Sequence, residues 1–172
     1  PTWVEEIVAA YEDPTVGAAG GFVYHTGNAH YQFCYGAINM WGLPRVEMEP
    51  TVPFDYNEPN AEWYNINIGT NSSYRRNYLI EVGGYDEEYE YYHDESDVCV
   101  RMIDGGYKVI GLEGAVVHHK MAPSSRRKSW KSVVNWDSMV KNGIYFAIKH
   151  SKGKAGLWKR IRTPGWEERH KF

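Results

Sequence analysis

The chain passes from a helix to strands within residues 94–118, DESDVCVRMIDGGYKVIGLEGAVVH. Either Asp94 or Ser96 can cap the first turn of the helix. The glycine pair at 105–106 stops the helix, and two strands are predicted after it, over 107–112 and 115–118. The helix itself is indicated by apolar residues at the spacing of one helical face, namely Val98, Met102 and Ile103.

The flanking segments also alternate between helical and strand patterns. Residues 27–62 are irregular and rich in Asn, Pro and Gly, so we predict a long, ordered, functional loop there. The order of the elements predicts an α/β layer architecture. The other predicted elements are helices at 3–12, 72–82 and 129–150 and strands at 16–24 and 65–68.

Composition favours a single folded, soluble domain. The chain has 172 residues, of which 42% are hydrophobic and 15% aromatic, which is far from the signature of disorder. It contains no apolar run long enough for a membrane span, and its first residues lack the pattern of a signal peptide. Because Cys34 and Cys99 are too few for a disulfide framework, we expect buried thiols in a reducing, cytoplasmic compartment.

Charge is divided unevenly along the chain. Residues 120–172 contain 14 Lys/Arg and 3 Asp/Glu, which leaves 5 of the 19 basic and 19 of the 22 acidic residues before them. The basic tail is predicted to lie on the acidic body, to bind a diphosphate or to touch the anionic inner face of a membrane, and a solvated helix face explains it equally well. We expect no nucleic-acid partner.

The sequence contains no nucleotide-binding motif of its own. It has no Gly-rich loop between a strand and a helix, and none of its seven aspartates forms an Asp-x-Asp pair. Any nucleotide chemistry must therefore depend on residues outside this stretch of sequence.

Several blocks, in order, nevertheless resemble the second half of family 2 glycosyltransferases. They are GTNSSYRR at 69–76, VGGYDE at 82–87, DESDVCVR at 94–101, GYKV at 106–109 and AVVHH at 115–119, preceded by WVEE at 3–6 and PTVGAAGG at 14–21. The resemblance covers about residues 1–150. It implies a GT-A-like fold, a Rossmann-like mixed sheet with flanking helices, that lacks its N-terminal nucleotide-binding half. We expect that part of the domain over 1–128 and a basic helical extension over 129–172.

The resemblance implies a catalytic base in the acidic block. The family writes this block Glu-Asp-x-Asp, and its second carboxylate takes the proton of the acceptor hydroxyl. Glu95 occupies that position, with Asp94 as the alternative, because the order of the two acids is reversed here. A carboxylate near a hydroxyl can act as a general base, and the helix N-terminus is expected to favour its ionised form. Acids in a first helical turn also stabilise the helix dipole without any catalytic role.

The resemblance also implies contacts to the sugars and to a metal. His118 matches a histidine that lies near the donor diphosphate or metal, and a hydrogen-bonded structural histidine is the alternative. We expect donor or acceptor contacts from Gly69, Asn71, Asp97 and Arg126. Trp63 and Tyr92 are the aromatic residues that we favour for stacking on a sugar ring.

The resemblance implies a metal-dependent transfer, with inversion, from a nucleotide sugar to the hydroxyl of a carbohydrate or lipid-linked acceptor in bacterial polysaccharide or glycolipid synthesis. The metal, Mn²⁺ or Mg²⁺, would be held mostly by the missing half, and the isolated chain is expected to be inactive. A non-catalytic carbohydrate-binding module of the same fold is the alternative. A metal hydrolase using His118, Asp94 and Asp97 is a third, disfavoured by the adjacent histidines.

Overall fold

The computed structural model describes residues 2–25, 30–120 and 136–151. It is a mixed α/β structure in which helices flank a mixed sheet, as predicted. The helices are α1 (Trp3–Ala10), α2 (Arg76–Glu81), α3 (Asp94–Asp104) and α4 (Trp136–His150), and Gly69–Asn71 forms a 3-10 turn. The strands are β1 (Val16–His25), β2 (Tyr31–Phe33), β3 (Tyr35–Asn39), β4 (Pro44–Glu47), β5 (Trp63–Ile66), β6 (Ser72–Tyr74) and β7 (Lys108–His119).

Strand β1 is the centre of the main sheet. It pairs in parallel with β7 on one edge and antiparallel with β2 and β6 on the other. Its first eight residues are buried, and small residues such as Ala18 and Ala19 allow the helices to pack closely on both faces. The parallel pairing with β7 brings the carboxyl ends of the two strands together, with Tyr24 opposite His118.

The prediction of two separate strands after α3 was wrong, because β7 is one strand with a bulge. Between the pairs Gly21↔Leu112 and Val23↔Val117, β1 advances by two residues and β7 by five, so three extra residues of β7 leave the ladder. A Cβ atom on Gly21 would lie 1.8 Å from the carbonyl oxygen of Ala115. Glycine at this position therefore lets the bulged backbone fold over β1.

The irregular loop predicted for residues 27–62 contains most of a second sheet. Strands β4, β3 and β5 pair antiparallel in that order, and β2 joins the main sheet. All five residues of β3 are buried, so the strand lacks the polar and apolar alternation that marks a half-exposed strand. The strand predicted at 65–68 lies two residues earlier, at β5.

The single helix predicted for residues 72–82 was also wrong. Its first residues form β6, which pairs with Ala18–Gly20 of β1, and only Arg76–Glu81 are helical. The backbone N–H of Arg75 donates to the carbonyl oxygen of Gly17, so pairing with the sheet replaces the first helical turn. Tertiary pairing has overridden the local helical pattern.

Helix α3 begins one residue after a cap that was not predicted. His93 is the N-cap residue, in the left-handed conformation (φ 73°), and Asp94 is the first helical residue. The helix buries Val98, Met102 and Ile103 in the main core, which Phe146 of α4 also enters. None of the described helices has the length and apolar character of a membrane span. The predicted start of the last helix at 129 and the domain boundary at 128/129 fall outside the described residues.

Candidate functional site

Asp94 and Glu95, here called the carboxylate pair, lie in the first turn of α3 against the 3-10 turn. A Cβ atom on Gly69 would lie 1.7 Å from Oε1 of Glu95, so the carboxylate occupies the space that any other residue at 69 would fill. Gly69 is itself exposed, which leaves this contact at the protein surface. The structure therefore brings together three residues that the sequence placed in one site.

The carboxylate of Glu95 is held in an environment that favours its protonated form. Burial, together with the hydrogen bond and the negative charge of Asp94, raises the pKa of Glu95 to about 8. These effects outweigh the helix N-terminus, which we had expected to favour ionisation. Once deprotonated, a carboxylate with this pKa is a much stronger base than an ordinary glutamate.

Tyr85 interacts electrostatically with the carboxylate pair. Burial and then the charges of Glu95 and Asp94 raise the pKa of Tyr85, whose ring meets Tyr74 edge to face at 5.9 Å. The sequence pattern did not predict this residue, although the glycine pair before it indicates a turn that presents an exposed side chain.

Asp97 lies only two residues after Glu95 but has a different environment. It is fully buried, and its carboxylate accepts from Nε and Nη2 of Arg101 at 2.8 and 2.6 Å, from Nε2 of His150 at 2.7 Å and from Nζ of Lys149 at 2.9 Å. Burial would raise the pKa of Asp97, but the hydrogen bonds from His150 and Lys149 and the charge of Arg101 prevail and lower it to about 2. We call these four residues the ion-pair cluster.

The ion-pair cluster joins α3 to three other segments. The guanidinium of Arg101 also donates to the carbonyl oxygens of Val82, after α2, and Gly84, in the following turn. Lys149 forms a second ion pair with Asp86 at 2.5 Å. The predicted contact of Asp97 with a sugar, or with a metal in the hydrolase hypothesis, would have to replace these partners.

Asn71 lies at the end of the 3-10 turn and is almost fully buried. Its Nδ2 donates to the carbonyl oxygens of Phe22 (3.1 Å) and Ala115 (2.7 Å), and its Oδ1 accepts from Nε1 of Trp3 at 2.9 Å. The carboxamide therefore fastens the turn to β1, to the bulge of β7 and to α1. It positions Gly69, and a direct contact of Asn71 with the donor sugar would require one of these hydrogen bonds to break.

His118 and His119 lie at the carboxyl end of β7. The exposed His118 ring stacks on Tyr24, with centroids 5.0 Å apart, while Nδ1 of His119 lies 2.9 Å from Oε1 of Gln32. Asn71 of the 3-10 turn donates to the carbonyl oxygen of Ala115, and His118 lies three residues, or about 10 Å of strand, further along β7. Among the described residues, no three His, Cys, Asp or Glu side chains converge as a metal site requires.

The two predicted aromatic residues lie at opposite ends of α3. Tyr92 precedes the carboxylate pair, and its carbonyl oxygen accepts from Nδ2 of Asn142 at 3.0 Å. Trp63 starts β5, where the neighbouring Tyr64 hydroxyl donates to Asp104 at the last residue of α3. Nine residues of helix, about 14 Å, separate Asp104 from Glu95, so the structure does not bring Trp63 to the carboxylate pair. Arg126 lies outside the described residues.

Comparison with known proteins gives one significant similarity. The chain is 27% identical over 135 residues to the O-antigen biosynthesis protein RfbC of Myxococcus xanthus. The match covers 74% of this chain and 10% of that protein, so the chain spans about a tenth of the length of the curated relative it matches. No family model matches the sequence, and no solved structure matches it significantly.

Proposed function

We propose that this chain is the acceptor-side part of an inverting sugar transferase of GT-A type, acting in polysaccharide synthesis, with Glu95 as the catalytic base. The observation that carries the proposal is the contact of Glu95 with Gly69 at the surface end of α3, together with its raised pKa. The similar protein RfbC is an O-antigen biosynthesis protein, which supports a role in polysaccharide synthesis. The motifs that resemble family 2 glycosyltransferases support inverting sugar transfer as the reaction.

In the proposed step, the acceptor hydroxyl lies against the carboxylate pair. The hydroxyl proton moves to Glu95 as the oxygen forms a bond to the anomeric carbon of the donor sugar. The bond from that carbon to the nucleoside diphosphate breaks on the opposite face, and the diphosphate leaves with the electron pair, which inverts the configuration. Asp94, which is hydrogen-bonded to Glu95, helps to retain the proton that Glu95 receives.

The described residues do not by themselves form a metal site, so no step is assigned to a metal. The Mn²⁺ or Mg²⁺ ion that the family implies would need ligands from other parts of the protein, to which His118 would add one exposed imidazole. The nucleotide-binding half would likewise be supplied by other parts of the protein.

The first test is sugar transfer by the full-length gene product with a panel of nucleotide sugars. We expect Glu95→Gln to lower kcat by roughly 100-fold or more, the usual contribution of a general base, and Asp94→Asn to lower it less. Glu12→Gln, at an exposed glutamate just after α1, is the matched control and should retain full activity.

The pH profile separates a base from a structural acid. Because the base must be deprotonated, kcat/KM should rise with pH through a midpoint near 8, and Glu95→Gln should lose that rise. Full activity of both carboxylate variants would contradict the proposal. Unchanged sugar binding by an inactive full-length protein would instead favour the non-catalytic binding module.

A further inference from the structure

Helix α4 is docked on the protein mainly through polar side chains. Asn142 donates to the carbonyl oxygen of Tyr92, and Oγ of the buried Ser138 donates to Glu90 at 3.3 Å. The Tyr145 hydroxyl donates to Asp86 at 3.0 Å, and Lys149 and His150 bind the carboxylates of α3 and its preceding loop. Phe146 and Ala147 are its fully buried apolar residues.

The outward face of α4 is apolar. Trp136, Val140, Ile144 and Ile148 recur every four residues and are 58%, 47%, 40% and 56% exposed. Over twelve residues they form a convex band about 18 Å long, here called the apolar stripe. An ordinary surface helix buries such a stripe and exposes its polar residues. This helix buries Phe146 and Ala147 but also exposes a second apolar row beside Asp137 and Lys141, so the stripe is suited to contact with something outside the described residues.

We propose that the apolar stripe of α4 contacts the surface of an anionic lipid bilayer. An isolated convex band fits the headgroup region of a bilayer, which needs no complementary groove, and Trp136 at its end is a residue type enriched at such interfaces. Charge is complementary, since residues 120–172 have 14 basic and 3 acidic side chains.

The stripe lies on the face of α4 opposite to the one that binds Asp86, Glu90 and Tyr92, the residues before the carboxylate pair. Contact of the stripe with a bilayer would therefore leave these bonds intact.

Co-sedimentation with vesicles tests the lipid contact without any nucleotide sugar. The 172-residue chain should bind vesicles of three parts phosphatidylcholine to one part phosphatidylglycerol, and binding should weaken with added salt and on pure phosphatidylcholine. Val140→Ser combined with Ile144→Ser should lower the partition coefficient roughly tenfold or more. The matched control is Val4→Ser with Val8→Ser on α1, at 58% and 60% exposure and the same spacing, which should bind like the parent.

Circular dichroism and thermal unfolding must show that both double variants remain folded. No binding of the parent chain to anionic vesicles, or equal loss of binding in the two double variants, would overturn the proposal. A concentration-dependent dimer that only Val140→Ser with Ile144→Ser dissociates would replace it with an interface between copies of the chain. Loss of transfer activity in Glu95→Gln with vesicle binding intact keeps the two proposals separate.

Discussion

The first turn of α3 contains two carboxylate environments with opposite effects. Glu95 lies beside another acid and a glycine, and the pKa of its carboxyl rises to about 8. Asp97, two residues on, is surrounded by Arg101, Lys149 and His150, and its pKa falls to about 2. The same helix end and the same chemical group thus give a candidate base at one position and a fixed ion-pair partner at the other. The neighbouring side chains decide the difference, and the helix dipole does not.

The largest expected effect comes from removing the buried charge at Asp97. We expect Asp97→Asn to lower the free energy of unfolding by about 3–5 kcal/mol, because it leaves the cations of Arg101 and Lys149, and the ring of His150, around a neutral, buried amide. Urea unfolding followed by circular dichroism measures the change. Asp94→Asn is the control in the same turn, and a loss as large in that variant would mean that α3 does not distinguish the two environments.

The pH dependence of this effect has a definite sign. The pKa of Asp97 is lowered in the folded protein from the ordinary value of 3.8 to about 2, so its stabilisation is complete above pH 3.8 and is lost as the pH falls towards 2. The difference in stability between the parent protein and Asp97→Asn should therefore shrink in acid.

Sequence patterns predicted part of this comparison and missed the rest. The acidic block and the glycine turn are short motifs that resemble the family, and this resemblance predicts Asp94, Glu95 and Gly69 in one site. The partners of Asp97 are different, because Lys149 and His150 lie more than fifty residues away, on a helix whose rotation against α3 no local pattern reports. An isolated His or Lys at a helix C-terminus is equally typical of dipole compensation.

The secondary structure, like the candidate site, was predictable only in part. Helices α1 and α3 follow clear periodic patterns, strand β1 is a continuous run of small and apolar residues after Asp13-Pro14, and the mixed α/β class follows from their order. Strand β3 was missed because it is buried on both faces, and β6 was assigned to a helix because its pairing with β1 is a long-range effect. Local periodicity reports neither of these.

The second expected effect is a stability change of opposite pH dependence at Glu95. In the unfolded chain its pKa is near 4.5 and in the folded protein about 8. Below pH 4.5 the group is protonated in both states and contributes nothing. As the pH rises from 4.5 to 8 the folded protein loses stability, because the unfolded chain releases the proton while the folded protein still holds it, and above pH 8 the full loss remains.

Glu95→Gln should therefore be more stable than the parent protein at pH 9, by an amount on the order of 2 kcal/mol, since the side chain is only half-buried and solvent screens part of the unfavourable charge. Urea unfolding at pH 5 and pH 9 measures the difference, which should nearly vanish at pH 5. A variant that is less stable than the parent at pH 9 would show that the Glu95 carboxylate is a favourable structural group like that of Asp97.

The smallest expected effect tests the contact between Gly69 and the carboxylate of Glu95. In Gly69→Ala the new methyl group would lie where Oε1 of Glu95 now is, so the carboxylate must move away from the turn. The φ angle of Gly69 is not positive, which leaves this clash as the main consequence of the substitution. We expect a loss of about 1 kcal/mol in unfolding free energy, typical of overpacking, and a shift in the pH midpoint of activity.

Combining Gly69→Ala with Glu95→Ala isolates the clash from any other effect of the methyl group. Because the shortened side chain leaves room at Gly69, the alanine should destabilise the Glu95→Ala background by much less than it destabilises the parent. Equal destabilisation in both backgrounds would place the strain in the turn itself. A reduced effect would show that the glycine is required because the Glu95 carboxylate packs against it. The position of the proposed base would then depend on a residue without a side chain at 69, a requirement that the ion-pair cluster does not have.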